Sequence, residues 1–273
     1  MIALVVGASG MLGQDLCPVL EDFGYDVIET NSKILDITKK DYVFNFIEQN
    51  KPDIIFHLAA YTNVDLAEEE QKKAELINKE GTKNLAIISS KLDIPIVYIS
   101  TDYVFDGEKN SPYTPKDKTN PINIYGKTKL MGEIEIQKHC KKFYIARTSW
   151  LYGINGKNFV DTMLKLKDKP LKVVNDQWGT PTWTADLSNA LVELLNKPYG
   201  IYHLTGGGKP TTWYNFAETI FEYANINANL SPCTTEEYPR PAKRPKYSVL
   251  DNGKMLRNWK SALKNYLNLV DIK

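Results

Sequence analysis

Residues 7–13 read Gly7-Ala8-Ser9-Gly10-Met11-Leu12-Gly13, and what flanks them decides the fold. Ahead of them Ala3–Val6 is a short apolar run that reads as a strand. Behind them Leu12, Leu16, Leu20 and Phe23 recur at helical spacing, and Gly24 closes the segment. A glycine loop between a strand and a helix is a natural phosphate site, because free backbone N–H groups and the positive end of the helix dipole meet there. Gly7 permits the tight turn, Gly10 lets the backbone approach a pyrophosphate, and Gly13 allows close helix–strand packing. The spacing is G-x-x-G-x-x-G rather than G-x-G-x-x-G, so the strand–loop–helix context carries the reading.

Outward from the loop the same alternation continues. Asp26–Glu29, Asp53–Leu58, Ile96–Ser100 and Phe143–Arg147 read as strands, with helices over Ala67–Lys91, interrupted near Gly81, and over Tyr125–His139. Such alternation predicts an α/β fold, a Rossmann-type doubly wound parallel sheet covered on both faces. The near-continuous apolar run Ile54-Ile55-Phe56 suits a strand buried on both sides. After residue 150 prolines, aromatics and loops become common, with strands at Leu171–Asn175 and Gly200–Leu204 and helices at Thr184–Leu195 and Trp213–Tyr223. The expected organisation is a dinucleotide-binding domain over 1–152 plus about 183–204, and a smaller C-terminal α/β substrate domain over about 153–182 and 205–273.

Composition removes other classes. The 273 residues carry 34 Lys+Arg against 33 Asp+Glu, a net charge of +1 without the basic surplus of a nucleic-acid binder. No run approaches the roughly 18–20 apolar residues of a membrane span, and no leader pattern opens the chain. Cys17, Cys140 and Cys233 are odd in number and scattered, as are His57, His139 and His203, so neither a disulfide framework nor a metal site is expected. A cytoplasmic protein with a small-molecule partner, and with neither nucleic acid nor membrane, is the expectation.

Four further segments carry chemistry. At the end of strand two stands Glu29-Thr30-Asn31-Ser32-Lys33. Glu29 lies early for an acid that would hold ribose hydroxyls, whereas Asn31, Ser32 and Lys33 suit a 2′-phosphate. The segment favours NADP(H) and leaves NAD(H) open. Tyr125 and Lys129 stand at i and i+4, one face of a helix, where an ammonium is expected to lower the tyrosine pKa. Ser100-Thr101-Asp102-Tyr103 ends strand four, where ligands of doubly wound sheets sit, and a hydroxyl from Ser100 or Thr101 there can donate to a carbonyl oxygen. Strand three likewise ends in Ala59-Ala60-Tyr61-Thr62, small enough for a dinucleotide to lie close.

On these residues the chain resembles the extended short-chain dehydrogenase/reductases and, within them, the dTDP-4-dehydrorhamnose reductase family. The likeness covers nearly the whole chain. It also rests on Ala59–Asp65, Ser100–Gly107, Tyr125–Leu130, Arg147–Gly153, Asp176–Thr182 and Tyr238–Pro245. It implies NADPH-linked reduction of the C4 ketone of dTDP-4-dehydro-6-deoxy-L-mannose to dTDP-L-rhamnose. In that scheme Tyr125 donates the proton, Lys129 lowers its pKa and binds the nicotinamide ribose, and Thr101 polarises the carbonyl. The loop with Met11 and Leu12, Asp36 and Ile37, and Ala59 to Thr62 would contact the cofactor. Asp102, Val104 and Trp150 would contact the sugar. Within the basic run Arg240, Lys243, Arg244 and Lys246, Arg240 and Arg244 are the candidates for the substrate diphosphate; a solvated charged loop is the alternative. Asp65, in an acidic run at a helix start, most simply complements the dipole. A monomer or homodimer is expected. Two other readings stand beside this one: a non-catalytic NADP-binding regulatory subunit like that of methionine adenosyltransferase, and another nucleotide-sugar reductase or epimerase.

Overall fold

The computed structural model describes residues 1–270. Its centre is a parallel sheet formed by β1 (Ile2–Val6), β2 (Asp26–Thr30), β3 (Ile54–His57), β4 (Ile96–Thr101), β5 (Phe143–Thr148) and a sixth strand, Gly200–His203. From edge to edge the order is Gly200–His203, β5, β4, β3, β1, β2, and all five pairings are parallel. The order reverses between β1 and β3, which opens the crevice at the carboxyl ends of those strands. Residues 33–37 add no strand outside β2; they cross as loop, with Leu35 and Ile37 buried.

Alternation along the strands feeds two cores. Ala3 and Val5 pack on one face with Leu12, Leu16 and Leu20 of α1 (Met11–Asp22) and with Leu187 and Leu191 from Thr184–Leu194. Leu4 and Val6 face the other way, against α2 (Lys40–Asn50) and the later helices through Val43, Ile47, Leu85, Ile88 and Ile136. The period of two in a strand is what sends neighbouring residues to opposite sides.

The expected helix 67–91 is a broken series instead: α3 (Val64–Glu69), α4 (Gln71–Glu75), a π-turn over Leu76–Gly81 and α5 (Thr82–Lys91). The π-turn carries Asn78, buried, whose Oδ1 accepts from Tyr61 N at 2.8 Å and whose Nδ2 donates to Tyr61 O and to Thr128 Oγ1. One irregular turn thus pins the loop after β3 to α6 (Ile124–His139).

A third core gathers Tyr152, Val160, Trp183, Phe216, Trp259 and Tyr266. It is built by α7 (Phe159–Lys165), α8 (Thr184–Leu194), α9 (Trp213–Tyr223) and α10 (Trp259–Leu267), with the parallel pair Leu171–Val174 and Leu230–Cys233 beside them. Among the described residues no helix is long and apolar enough to cross a membrane.

Candidate active site

The carboxyl ends of the strands border a cavity of about 570 Å³, within the range of small-molecule and cofactor sites. Its floor is the glycine loop. Gly7 has φ +95°, and a Cβ there would lie 2.8 Å from Ala59 N; a Cβ on Gly13 would lie 2.4 Å from Ala8 O. Gly10 is the N-cap of α1 and supplies no side-chain cap. The first-turn N–H groups therefore face the cavity without a side-chain acceptor, as a pyrophosphate would require.

At the rim, Asn31 and Ser32 line the cavity. Asn31 Oδ1 accepts from the N–H groups of Lys33 and Ile34, which leaves its amide nitrogen as a donor. Glu29 is exposed and adds its charge to the effect of burial in raising the Cys17 thiol to about 12, which places it on the α1 side. The residues present fit a dinucleotide and offer donors, rather than an acid, where a 2′-phosphate would lie.

The reacting wall comes from β4 and α6. The N-cap Asn123 accepts from Gly126 N at 2.8 Å, and Gly126 is required because a Cβ there would lie 2.0 Å from Tyr103 O. This close seating brings Tyr125 and Lys129 to the cavity beside Thr101 and Asp102. The expected lowering of the Tyr125 pKa does not occur. Burial, followed by the Asp102 charge, raises it to about 12, with a Thr101 contact opposing. Burial also pushes the Lys129 ammonium down, to about 7, against the pull of Glu133. Desolvation outweighs proximity at this depth. Lys129 Nζ lies 4.0 Å from the Tyr98 ring centroid.

Behind Lys129 is a buried ion pair. Arg147 Nε and Nη2 donate to the two Glu133 oxygens at 2.9 and 2.7 Å, and Ser100 Oγ donates to Oε1. Both candidate hydroxyls border the cavity; that of Ser100 is tied to the Glu133–Arg147 pair, that of Thr101 to its neighbour Asp102.

Trp150 lines the cavity, but its ring is stacked on Trp213 at 3.6 Å and 8°. Its φ of +49° is a left-handed conformation unusual for a bulky residue. Gly179 makes room, since a Cβ there would lie 2.5 Å from the indole.

Several expected residues lie elsewhere. Val104 is buried with Phe105, Tyr113 and Leu250, facing away from the cavity. The Tyr61 phenol donates to Glu70 Oε2 at 2.8 Å and packs with Ala67 and Ala74, although Ala59, Ala60 and Thr62 around it line the cavity. Asp36 is occupied by Thr38, whose N–H and hydroxyl both donate to it. Ile37 is buried against Gly81. Lys33 is exposed beyond the rim.

Arg240 and Arg244 border a second cavity of about 470 Å³, which meets the first at Tyr103 and Trp213. Asp65 is no simple dipole partner. It binds Arg244 Nη1 at 2.5 Å and Arg240 Nη2 at 2.9 Å, and accepts from Ala242 N. Asn123 Nδ2 in turn donates to Lys243 O, so the basic loop is fastened to the start of α6. The sequence reading missed Tyr103 and Trp213, the two residues shared by both cavities; no motif marks Trp213.

A family model described as "RmlD substrate binding domain" matches residues 1–272. The chain is 43% identical to the spore coat polysaccharide biosynthesis protein SpsK of Bacillus subtilis, over 97% of this chain and 96% of that one. A solved dTDP-4-dehydrorhamnose reductase from Clostridium acetobutylicum superposes with a TM-score of 0.96 at 46% identity, covering 98% and 99% of the two chains. A dTDP-4-dehydrorhamnose reductase from Bacillus anthracis, solved in complex with NADP, gives 0.95 at 39% identity with the same coverage.

Proposed function

The chain belongs to the RmlD substrate-binding-domain family, and on that premise we propose that it is a dTDP-4-dehydrorhamnose reductase. Its reaction would be NADPH-dependent reduction of the C4 ketone of dTDP-4-dehydro-6-deoxy-L-mannose to dTDP-L-rhamnose, in nucleotide-sugar and polysaccharide biosynthesis. The observation that carries the reading is the convergence of Thr101, Asp102, Tyr125, Lys129 and Trp150 on the cavity that the glycine loop floors. A regulatory subunit would have no use for that set.

Gly7, Gly10, Met11, Leu12, Gly13, Asn31, Ser32, Ala59, Ala60 and Thr62 hold the dinucleotide, NADP(H) in preference to NAD(H). When bound, it supplies the hydride that adds to the carbonyl carbon. Thr101 donates a hydrogen bond to the carbonyl oxygen, an interaction that strengthens as negative charge grows there. Tyr125 donates the proton. Its phenol stays protonated at neutral pH and is a stronger acid than the alcohol that forms. Lys129 orients the ribose beside it. Asp102 and Trp150 border the sugar, and Arg240 and Arg244 grip the diphosphate across the neck between the cavities. Residues 1–152 with about 183–204 form the cofactor domain, and about 153–182 and 205–273 form the substrate domain.

The protein works in the cytoplasm as a monomer or homodimer, without nucleic acid or membrane. Buried unpaired Cys17, Cys140 and Cys233 support the reducing compartment. The test is NADPH absorbance with dTDP-4-dehydrorhamnose generated in situ, NADH run in parallel, and the product identified. Consumption of neither cofactor overturns the proposal.

A further inference from the structure

We propose that Asp102 decides where the Thr101 hydroxyl points, and that the neutral carboxyl is the form that turns the Thr101 proton toward the ketone. Asp102 would be a positioning residue acting through Thr101. The inference rests on the reading of Thr101 as the group that hydrogen-bonds the substrate carbonyl.

A threonine hydroxyl has one proton to give. In this structure Thr101 Oγ1 donates it to Asp102 Oδ1 at 3.0 Å and accepts from Tyr103 N at 3.2 Å. An ionised Asp102 can only accept, so it holds that proton and leaves Thr101 presenting a lone pair to the cavity. A ketone oxygen is also an acceptor, and the two would repel. A protonated Asp102 reverses the bond: its O–H donates to Thr101 Oγ1, and the Thr101 proton is free to turn to the substrate.

The surroundings favour the neutral form. Asp102 is 3% exposed, and its Oδ2 has no hydrogen-bond partner, a costly arrangement for a buried charge. Tyr125 from α6, Tyr103 from the same turn and the Ser248 hydroxyl from the C-terminal segment face it. Among the described residues no Lys or Arg pairs with it: Arg244 is engaged by Asp65 and Tyr103, and Arg147 by Glu133. Burial pushes the carboxyl up to about 7, against the Ser248 and Thr101 hydroxyls and the backbone N–H groups of Asp102 and Tyr103, which favour the carboxylate. During turnover Tyr125 loses the proton that ends on the new hydroxyl and regains one from solvent, while Asp102 keeps its own.

The experiment compares the pH dependence of kcat in wild type and Asp102→Asn, with NADPH and nucleotide sugar saturating. The amide cannot ionise and its NH₂ can donate to Thr101. Titration of Lys129 affects both proteins and cancels in their ratio. The ratio of variant to wild-type kcat should rise about tenfold per pH unit above the carboxyl's midpoint; a ratio flat with pH overturns the proposal. Infrared difference spectra of the wild type between about pH 6 and pH 9 keep the test independent of that variant's folding. They should show a carboxylic-acid stretch lost with the same midpoint as kcat, and its absence is equally fatal. Thr101→Val separates the two readings. Near-normal kcat in that variant defeats the role of Thr101 itself, whereas an impaired Thr101→Val with a flat Asp102→Asn ratio defeats only the inference about Asp102.

Discussion

Replacing Asp65 by asparagine should weaken binding of the nucleotide sugar and leave the chemical step nearly intact. The carboxylate holds Arg244 at 2.5 Å, with side chains 15% and 19% exposed, and Arg240 at 2.9 Å, with the arginine 49% exposed. The Arg240 contact is open to solvent and worth little. The Arg244 contact is a charge-assisted bond in a sheltered place, and weakening it to a neutral one costs about 1–2 kcal/mol. An opposing effect is the repulsion between Asp65 and the incoming diphosphate. At about 6 Å in a water-like medium it amounts to about 1.4 kcal/mol for the two charges of the diphosphate, against about 2 kcal/mol of rotamer freedom for each arginine released. Positioning wins. With tenfold in affinity for each 1.4 kcal/mol, KM for the nucleotide sugar should rise about 5- to 30-fold while kcat stays within about twofold. Steady-state kinetics at saturating NADPH measure both. An unchanged KM, or a kcat that falls in step with it, refutes the clasp.

Other consequences are as direct. Glu133→Gln leaves the Arg147 guanidinium buried with a neutral partner, and should cost about 3–5 kcal/mol, seen as a lower midpoint in urea unfolding; an unchanged midpoint contradicts the ion-pair account. Asn31→Asp keeps the acceptor for the Lys33 and Ile34 N–H groups but puts a carboxylate in place of the amide donor at the rim, so it should raise the KM for NADPH more than that for NADH, since only the former carries a 2′-phosphate; equal shifts would assign the selectivity elsewhere. His203 is buried, and burial with the nearby Arg147 lowers its pKa from 6.5 to about 3. The unfolded chain therefore binds one more proton between those values, and stability falls by about 1.4 kcal/mol per pH unit as pH drops below 6.5. His203→Gln should flatten the stability–pH slope by that amount, and an unaltered slope contradicts it.

The glycine loop was legible because most of its constraints are local: Gly10 and Gly13 answer to Gly7 and Ala8 of the loop itself, and only Gly7 answers to a distant segment, Leu58 and Ala59. The strands were legible for the same reason, with ends misplaced by only a residue or two. Val104 and Tyr61 misled because they sit among cavity residues in sequence, while a tight turn or a loop sends alternate side chains to opposite sides. Asn78 meets Tyr61 and Thr128, and Tyr103 meets Trp213 at the neck between the cavities, only through tertiary packing, which no spacing records. Helix α10 did carry a signal in Trp259, Ala262, Leu263, Tyr266 and Leu267, whose spacing is helical. The Tyr125 pKa went the opposite way because i,i+4 proximity is visible in a sequence and depth of burial is not.

Tyr125 as the proton donor of an NADPH-linked ketone reduction is open to a single comparison. NADPH oxidation by the wild type and by Tyr125→Phe is followed side by side with saturating dTDP-4-dehydrorhamnose, with binding of both ligands checked in each. The wild type should turn over, and kcat should be lower by about 10²- to 10⁴-fold in the variant, with binding retained. Near-normal turnover by Tyr125→Phe would contradict it.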